Sequence, residues 1–546
     1  MNSLINSNTL SPDSIFLNAS GLITMAGTPF FDRNLTAIAV RNGTIVAIGD
    51  DESIIKIGAQ SKVFNFNQSV VMPGLVDSHN HFLSTALGWE RLQLEEARSI
   101  EEILSLIESR INELNPGDWV LCSSRWHETK LKEGRLPTAQ ELDKVSPHNP
   151  IYLPRGGHVV VTNSKGLKLA GISEDALNPE GGEYVRDSSG HLTGMLLERP
   201  AFIKLSRLLP QPTDRDREHA LRKGIAKYNE CGITAVRDPA LTEPEVLAFK
   251  AVIPDLESMR ASMLLRVDLS KNAIERRKWI DNLGDSLDSK TNWLDVWGLK
   301  VGIDGGVEGG FFFEPYANNS NFRGLPLTDE ENLFDIINQA QEIGWKVGVH
   351  VVGDAAMQMV LEAFEKVDSK SGVGVGGNAL EHAFSPVEGS IQRTKDLGLG
   401  VTLQHALVYA LGGNMCTYWG EQRASDCTPS KAWIDSGTLV GAGTDSPVTN
   451  YDPWLNIYGF ATRDTEVAGV LGPQHRISIP ETLQAYTMGS AKILRMDDSI
   501  GSLEINKAAD FICLDRNPME VPVDAVKSTK IAKTIVAGRV VFDESG

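Results

Sequence analysis

Apolar residues recur through the middle of the chain in short runs, and amphipathic stretches separate most of these runs. Eight runs have the length and composition of buried β-strands. They cover residues 70–77, 233–238, 261–269, 296–304, 346–352, 378–383, 399–405 and 439–445. Strands that alternate with helices in this way predict an α/β fold, a (β/α)8 TIM barrel, whose functional side chains gather at the carboxyl ends of its strands.

The two ends of the chain follow a different pattern of short strands and tight turns. Asn42-Gly43 lies between two apolar runs, which is a strong hairpin signal. Apolar runs at 509–515 and 531–536 repeat this style near the C-terminus. We therefore expect both ends to pair in one small β-sandwich domain.

The spacing of the barrel strands predicts how the chain divides into domains. About 155 residues separate the first predicted strand from the second, far more than one crossover needs, so a subdomain must be inserted there. The predicted domains are a composite β-sandwich of 1–69 with 497–546, a barrel of 70–496 and an inserted subdomain at approximately 115–210.

The composition of the 546 residues limits the classes of molecule that the protein is expected to bind. With 41% hydrophobic residues the chain can bury a large core, whereas its formal net charge of −19 and isoelectric point near 5.1 disfavour nucleic acid and anionic membranes. A small-molecule substrate is therefore the expected partner. Five scattered cysteines without a Cys-x-x-Cys pair indicate neither a disulfide framework nor a thiolate metal site. No secretion signal or long apolar span is recognisable, so we predict a cytoplasmic protein that does not span a membrane.

Metal-binding side chains lie at or near the ends of five predicted strands. His79 and His81 follow the first strand, where alternate side chains of an extended chain share a face. The others are Lys300 on strand four, His350 and His382 at the ends of strands five and six, and Asp445 at the end of strand eight. Singly, each could be a core residue, an incidental pair or a turn cap. Their joint placement at one rim of a barrel indicates a metal centre.

This set of residues resembles the metal ligands of the amidohydrolase superfamily, and residues 71–81 look like its first-strand signature. The likeness extends over nearly the whole chain. Longer stretches resemble the branch that contains N-substituted formamide deformylase, namely Arg125-Trp126-His127-Glu128, Arg155-Gly156-Gly157-His158, Lys300-x-x-x-Asp304-Gly305 and Gly443-Thr444-Asp445-Ser446-Pro447-Val448. That branch is functionally mixed, so the likeness leaves the substrate open.

The resemblance implies a role for each ligand. One metal ion would be held by His79, His81 and Asp445, and the second by His350 and His382. Lys300 would be N-carboxylated, since a carbamate can bridge two cations and a free ammonium cannot. The expected cofactor is Zn²⁺, one or two ions per chain, although Fe, Mn or Ni also suits these ligands. The same resemblance makes a homodimer possible.

We therefore predict a metal-dependent amidohydrolase. A metal-activated hydroxide would attack a carbonyl carbon, and Asp445 would take up a proton and pass it to the leaving nitrogen. The predicted bond is a C–N bond other than a peptide bond, in a linear amide such as an N-substituted formamide. Hydrolysis of a cyclic amide, carbamate or ester is the alternative within enzymes, and a non-catalytic metal-binding or regulatory barrel is the alternative outside them. A deaminase with one metal fits less well, because Lys300 would then have no task.

Residues beyond the metal ligands are expected to contact the substrate. His158 from the inserted segment and His405 at the predicted end of strand seven are candidate catalytic and substrate-binding residues. Further substrate contacts are predicted from Trp89, Trp126, His127 and Trp419. Aromatic side chains at such spacings also serve as core packing.

Overall fold

The structure is a computed structural model that describes residues 4–5, 11–287, 290–371 and 374–545. In these ranges the strands are β1 Leu4–Ile5, β2 Ser14–Leu17, β3 Gly21–Ile23, β4 Phe31–Asp32, β5 Ala37–Arg41, β6 Thr44–Gly49, β7 Lys62–Asn65, β8 Val70–Pro73, β9 Leu75–Asp77, β10 Val120–Leu121, β11 Ile151–Arg155, β12 Val159–Val161, β13 Glu183–Arg186, β14 Leu192–Leu197, β15 Ile233–Leu241, β16 Arg260–Arg266, β17 Leu294–Gly302, β18 Lys346–Val351, β19 Ala379–His382, β20 Gly400–Leu403, β21 Leu439–Ala442, β22 Phe511–Leu514, β23 Ile531–Val536 and β24 Arg539–Asp543.

The α-helices in the same ranges are α1 Asp51–Ile57, α2 Phe82–Gly88, α3 Ile100–Ile111, α4 Ala139–Val145, α5 Ser164–Leu169, α6 Arg199–Ser206, α7 Asp214–Glu230, α8 Glu243–Leu256, α9 Ala273–Leu287, α10 Glu330–Glu342, α11 Asp354–Ser371, α12 Ser390–Asp396, α13 His405–Trp419, α14 Glu421–Asp426, α15 Ser430–Asp435, α16 Pro453–Thr462, α17 Ile479–Gln484, α18 Ser490–Ile493 and α19 Val523–Val526. Short helical turns of other types cover Glu128–Lys130, Pro473–His475 and Ala485–Gly489. Among the helices so described, none combines the length and apolar character needed to cross a membrane.

Eight strands form one parallel sheet that curves into a barrel. In sheet order they are β9, β15, β16, β17, β18, β19, β20 and β21, each parallel to its neighbours. Just after β9, the Ser78 N–H donates to the Ala442 carbonyl of β21 at 3.0 Å and nearly closes the ring. Helices lie between most successive strands, because a parallel connection needs a crossover. The predicted (β/α)8 TIM barrel is confirmed, with all eight predicted strands present and their ends shifted.

The first predicted strand, 70–77, is divided at Gly74. β8 pairs with β22 and β3 in a sheet of the chain ends, and only the three residues of β9 belong to the barrel. The Gly74 N–H donates to the Asp510 carbonyl, whereas the next N–H donates to the Gly232 carbonyl beside β15. A side chain at position 74 would overlap Thr234, so this crossing requires glycine. The prediction of one continuous barrel strand was wrong, because an apolar run does not show where a strand changes sheets.

Three further sheets surround the barrel strands within the described ranges. Their strand orders are β1-β6-β5-β2-β7, β24-β23-β22-β8-β3-β4 and β10-β11-β12-β14-β13. The second joins strands from both chain ends, and the third lies in the inserted segment. The predicted hairpin of β5 and β6 is confirmed, since Asn42 and Gly43 both have positive φ, as the favoured two-residue turn requires. The assignment of these sheets to domains stays a prediction.

An irregularity in β17 sets the direction of the Lys300 side chain. Trp297 lies inside the barrel, where the Arg237 guanidinium stacks over its ring, with the guanidinium carbon 4.2 Å from the ring centroid. Interior positions of a regular strand are two residues apart, yet Trp297 and Lys300, three apart, both face inward. The pairing with β16 skips one residue here, which is a β-bulge. An added Cβ at Gly298 would overlap the Lys346 carbonyl of β18, so glycine permits the bulge.

Replacing Gly298 by alanine is therefore expected to distort the bulge and turn Lys300 away from the barrel rim. Overpacking in a packed interior costs about 1–3 kcal/mol of unfolding free energy, so the melting temperature should fall. Bound metal, measured by inductively coupled plasma mass spectrometry, should fall with it. Gly302→Ala is the matched control in the same strand, because its added Cβ would only reach ordinary contact with Leu327 at 3.5 Å. A wild-type melting temperature and metal content in G298A would contradict this role of the bulge.

Candidate metal centre

Two histidines and one carboxylate meet at the rim of the barrel. The Nε2 atoms of His79 and His81, which follow β9, each lie 3.3 Å from Oδ1 of Asp445, which follows β21. Potential ligand atoms of the three residues all lie within 4.8 Å of one another. The Asp445 N–H donates to the His79 carbonyl at 2.8 Å and holds Asp445 in a left-handed conformation with φ of 58°. No other group of three histidine, cysteine or acidic residues with this spacing occurs in the described ranges.

A buried ion pair of Glu381 and Arg237 holds the His79 ring in place. One Glu381 oxygen is 2.6 Å from His79 Nδ1, and the other accepts a hydrogen bond from Arg237 at 2.8 Å. All three side chains are at most 1% exposed. Burial raises the pKa of Glu381, but Arg237, Lys300 and His79 outweigh it and hold that pKa well below its ordinary value. The ionised carboxylate accepts a hydrogen bond from the Nδ1–H of His79 and directs Nε2 toward Asp445, where a metal ion would bind.

Three buried polar atoms of the predicted metal ligands form no hydrogen bond of acceptable geometry with a described residue. They are His79 Nε2, Asp445 Oδ1 and Lys300 Nζ. Leaving such an atom unpaired costs about 1–3 kcal/mol, so buried polar atoms without partners are rare. Imidazole nitrogen and carboxylate oxygen are ligands that Zn²⁺ and similar cations accept. The side chains of His79, His81 and Asp445 therefore fit a divalent metal ion.

His350 and His382 lie beside this trio. The centroid of the His382 ring is 4.7 Å from that of His79 and 4.8 Å from that of His350. Burial lowers the pKa of both residues, for His382 to about 3, so both imidazoles are neutral and able to bind a metal. His382 Nδ1 lies 2.7 Å from Gln404 Oε1, and His350 Nε2 lies 3.2 Å from the Gly305 carbonyl. Their role in a second metal site stays a prediction.

A small cavity of about 40 Å³ borders the centre, with Asp445, His350 and His382 in its wall. His158 of the inserted segment lines it too, so the structure brings this predicted residue to the site. His158 Nδ1 lies 2.7 Å from Oε2 of the buried Glu198, whose other oxygen accepts the Gly306 N–H at 3.1 Å. This carboxylate orients the His158 ring beside the His350 ring, 5.2 Å away.

Residues 62–542 match the amidohydrolase family. The chain belongs to this family. N-substituted formamide deformylase of Arthrobacter pascens is 26% identical, with 93% of this chain and 95% of that protein aligned. Protein LONG AFTER FAR-RED 3 of Arabidopsis thaliana is 28% identical over 97% of this chain and 91% of that protein. An uncharacterized metal-dependent hydrolase from Pyrococcus furiosus has the same fold, with a TM-score of 0.70 at 24% identity over 93% of this chain and 100% of that one.

Membership of the amidohydrolase family supports a hydrolase, as the sequence predicts. The structure contradicts the predicted position of His405. His405 does not end a strand, because β20 ends two residues earlier and His405 begins α13. Its ring is buried against Gly459 and Phe460, and it is not among the residues that line the cavity. The strand-end position was wrong, since the apolar run continues unbroken from the strand into the helix. Gln404, just before it, contacts His382 instead.

The other rings predicted to contact substrate do not line this cavity. They are Trp89, Trp126, His127 and Trp419. Trp126 donates to the Pro154 carbonyl at 2.8 Å, and Trp419 donates to the Val307 carbonyl at 2.7 Å. Each hydrogen bond holds a backbone carbonyl, and the residue that follows this carbonyl lines the cavity. A direct role of the four rings in binding stays a prediction of the sequence.

Sequence reasoning missed the buried charges that support the amidohydrolase site. These are Arg237, Glu381, Glu198, Glu308 and the guanidinium of Arg155. A signal for two of them was present, because Arg237 and Glu381 stand inside apolar strands, where an ionisable residue is rare without a partner. The partner itself is more than a hundred residues away along the chain and cannot be read from local pattern.

Replacing Glu381 by glutamine should weaken Zn²⁺ binding about 10- to 100-fold. The neutral amide would hold His79 less firmly in its metal-binding tautomer and would leave Arg237 buried without a counter-ion. Affinity can be measured by competition with a chromogenic chelator. Glu388→Gln is the matched control, since Glu388 is exposed on the loop after the same strand. Unchanged affinity in a folded E381Q protein would show that the ion pair does not position His79.

Proposed function

We propose that this protein is an amidohydrolase that cleaves a linear C–N bond other than a peptide bond, with N-substituted formamides as its substrate class. The convergence of His79, His81 and Asp445 beside a cavity supports hydrolysis. Likeness to N-substituted formamide deformylase over nearly the full chain supports the substrate class.

A bound divalent metal ion would lower the pKa of water and polarise a carbonyl group. Asp445 is the residue of this chain best placed to move the proton. Burial raises its pKa, but His79, His81 and His382 outweigh that effect and hold it well below its ordinary value. Asp445 is therefore an ionised acceptor at neutral pH, able to take a proton and deliver it to the leaving nitrogen. His158, oriented by its carboxylate partner, would hydrogen-bond the substrate.

We expect Lys300 to be carboxylated and, as a carbamate, to hold metal ions at this rim. Lys300 is 7% exposed and its Nζ has no hydrogen-bond partner among the described residues. Burial lowers the pKa of Lys300 to about 8, against the opposing effect of Glu381. Roughly a tenth of the amine is then neutral at pH 7, far more than for an ordinary lysine. The neutral amine can add to CO₂ and lose a proton, which gives an anion that two cations can share.

Carboxylation of Lys300 can be observed directly. Protein loaded with Zn²⁺ in ¹³C-bicarbonate should show one carbamate resonance in its ¹³C NMR spectrum. The Lys300→Met variant should lack the resonance and hold less metal, because it loses the bridging anion. Lys346→Met is the matched control. Lys346 begins the neighbouring strand β18 and so lies at the end of the barrel away from the metal-binding rim. A protein with full metal content and no carbamate resonance would contradict carboxylation.

The proposed reaction can be tested by an activity screen of metal-loaded protein across N-formyl amines, cyclic amides, carbamates and esters. N-formyl amines should be turned over fastest. Asp445→Asn should retain most of its metal, since an amide oxygen remains, and lose at least about 100-fold in turnover with the loss of the proton acceptor. Preference for a cyclic amide, carbamate or ester would overturn the proposed substrate class. Uniform inactivity at full metal occupancy would favour a non-catalytic barrel.

A further inference from the structure

We propose that Glu308 selects the substrate by accepting a hydrogen bond from the N–H of a secondary amide. The inference rests on the proposed function and deepens it, because it restricts the substrates to amides whose nitrogen carries a hydrogen. Tertiary amides and esters, which have no such donor, are then disfavoured. Glu308 lies in the loop after β17, eight residues beyond Lys300 in the sequence, and lines the same cavity as Asp445.

Arg155 of β11 lies between two buried carboxylates. Its guanidinium is 3.0 Å from Glu128 Oε2 and 2.6 Å from Glu308 Oε1. The Arg155 and Glu308 side chains are each 3% exposed. One positive and two negative side chains leave this cluster with one negative charge in excess. A buried charge is costly without a partner, so the excess calls for a donor from outside the cluster.

The two carboxylates differ in how their oxygens are used. Glu128 Oε1 accepts hydrogen bonds from Arg155 at 3.2 Å and from the Asn414 amide at 2.6 Å, and Glu128 Oε2 lies 3.0 Å from Arg155 Nε. Glu308 accepts a hydrogen bond only through Oε1, and no described residue donates to its Oε2. Glu308 Oε2 is therefore an acceptor of this cluster with no donor among the described residues, and Glu308 lines the cavity.

The rest of the cavity wall indicates how a substrate would lie. Asp445 lies at the part of the cavity next to the metal centre, where the carbonyl oxygen of a substrate would bind. Phe384, Leu407 and Leu411 are apolar parts of the wall and suit a hydrocarbon N-substituent. A secondary amide satisfies all three regions, with its carbonyl at the metal ligands, its N–H at Glu308 and its substituent on the apolar wall. The leaving amine also gains a proton during hydrolysis, and its growing positive charge is stabilised beside the carboxylate.

Three matched probes test this inference on the metal-loaded full-length protein: N-phenethylformamide, its N-methyl derivative and phenethyl formate. The wild type should prefer the secondary formamide over the tertiary one by about 10- to 100-fold in kcat/KM, as expected for a hydrogen bond to a charged acceptor. Glu308→Gln should lose about this factor for the secondary formamide and retain its rate with the ester, so that the preference nearly disappears. Glu314→Gln, exposed in the same loop, is the control and should behave as wild type.

The three probes distinguish a hydrogen bond to Glu308 from a structural role of this residue and from steric exclusion. A merely structural role of Glu308 would lower the rates of all three probes equally, and steric rejection of the N-methyl group would persist in E308Q. Either result overturns the inference, as does a wild type that hydrolyses the secondary and tertiary formamides equally.

Binding distinguishes failure of the inference from failure of the proposed function. Calorimetric titration of both formamides into metal-loaded Asp445→Asn, with and without Glu308→Gln, reports recognition without turnover. Selective binding of the secondary formamide that depends on Glu308, in a protein whose wild type hydrolyses no probe, would refute the proposed function and retain the inference. Absence of selective binding would refute the inference whether or not the probes are hydrolysed.

Discussion

The chain of contacts from Arg237 through Glu381 to His79 is the constraint that holds the site together. A single charge buried inside the barrel would cost several kcal/mol, whereas here each group meets a partner. Arg237 stacks on Trp297, donates to Glu381 and reaches the Ser78 carbonyl at 3.2 Å. Loss of Glu381 would leave the Arg237 guanidinium buried without a counter-ion. The polar interior of the barrel and its metal-binding rim are therefore one coupled unit.

Backbone departures from regular structure occur where the site needs them. The bulge at Gly298 turns Lys300 inward, and Asp445, His382 and Glu198 adopt positive φ values of 58°, 72° and 64°. Such conformations cost a non-glycine residue about 1 kcal/mol or more, so they persist only when surrounding contacts hold them. Here the contacts are those of the site, including the hydrogen bond between the Asp445 N–H and the His79 carbonyl.

The barrel and the segments around it contribute different parts of the site. Barrel strands and their immediate ends supply the histidines, Asp445 and Lys300, which fit the metal-dependent chemistry of the family. The inserted segment supplies His158 and Arg155, and the loop after β17 supplies Glu308. Loops and insertions can change without disturbing the rigid metal scaffold, so they are where substrate choice is built.

Local patterns in the sequence were sufficient to predict the barrel, its eight strands and the residues that converge on its rim, because alternating apolar runs and strand-end histidines are local signals. They did not show the division of the first strand at Gly74 or the helical position of His405, since an apolar run looks alike in either setting. The folded chain was needed to join Glu381 to Arg237 and Arg155 to Glu308, pairs that are more than a hundred residues apart in the sequence. Their partnership is enforced by burial, which makes an unpaired charge too costly, and burial exists only once the distant segments have packed together.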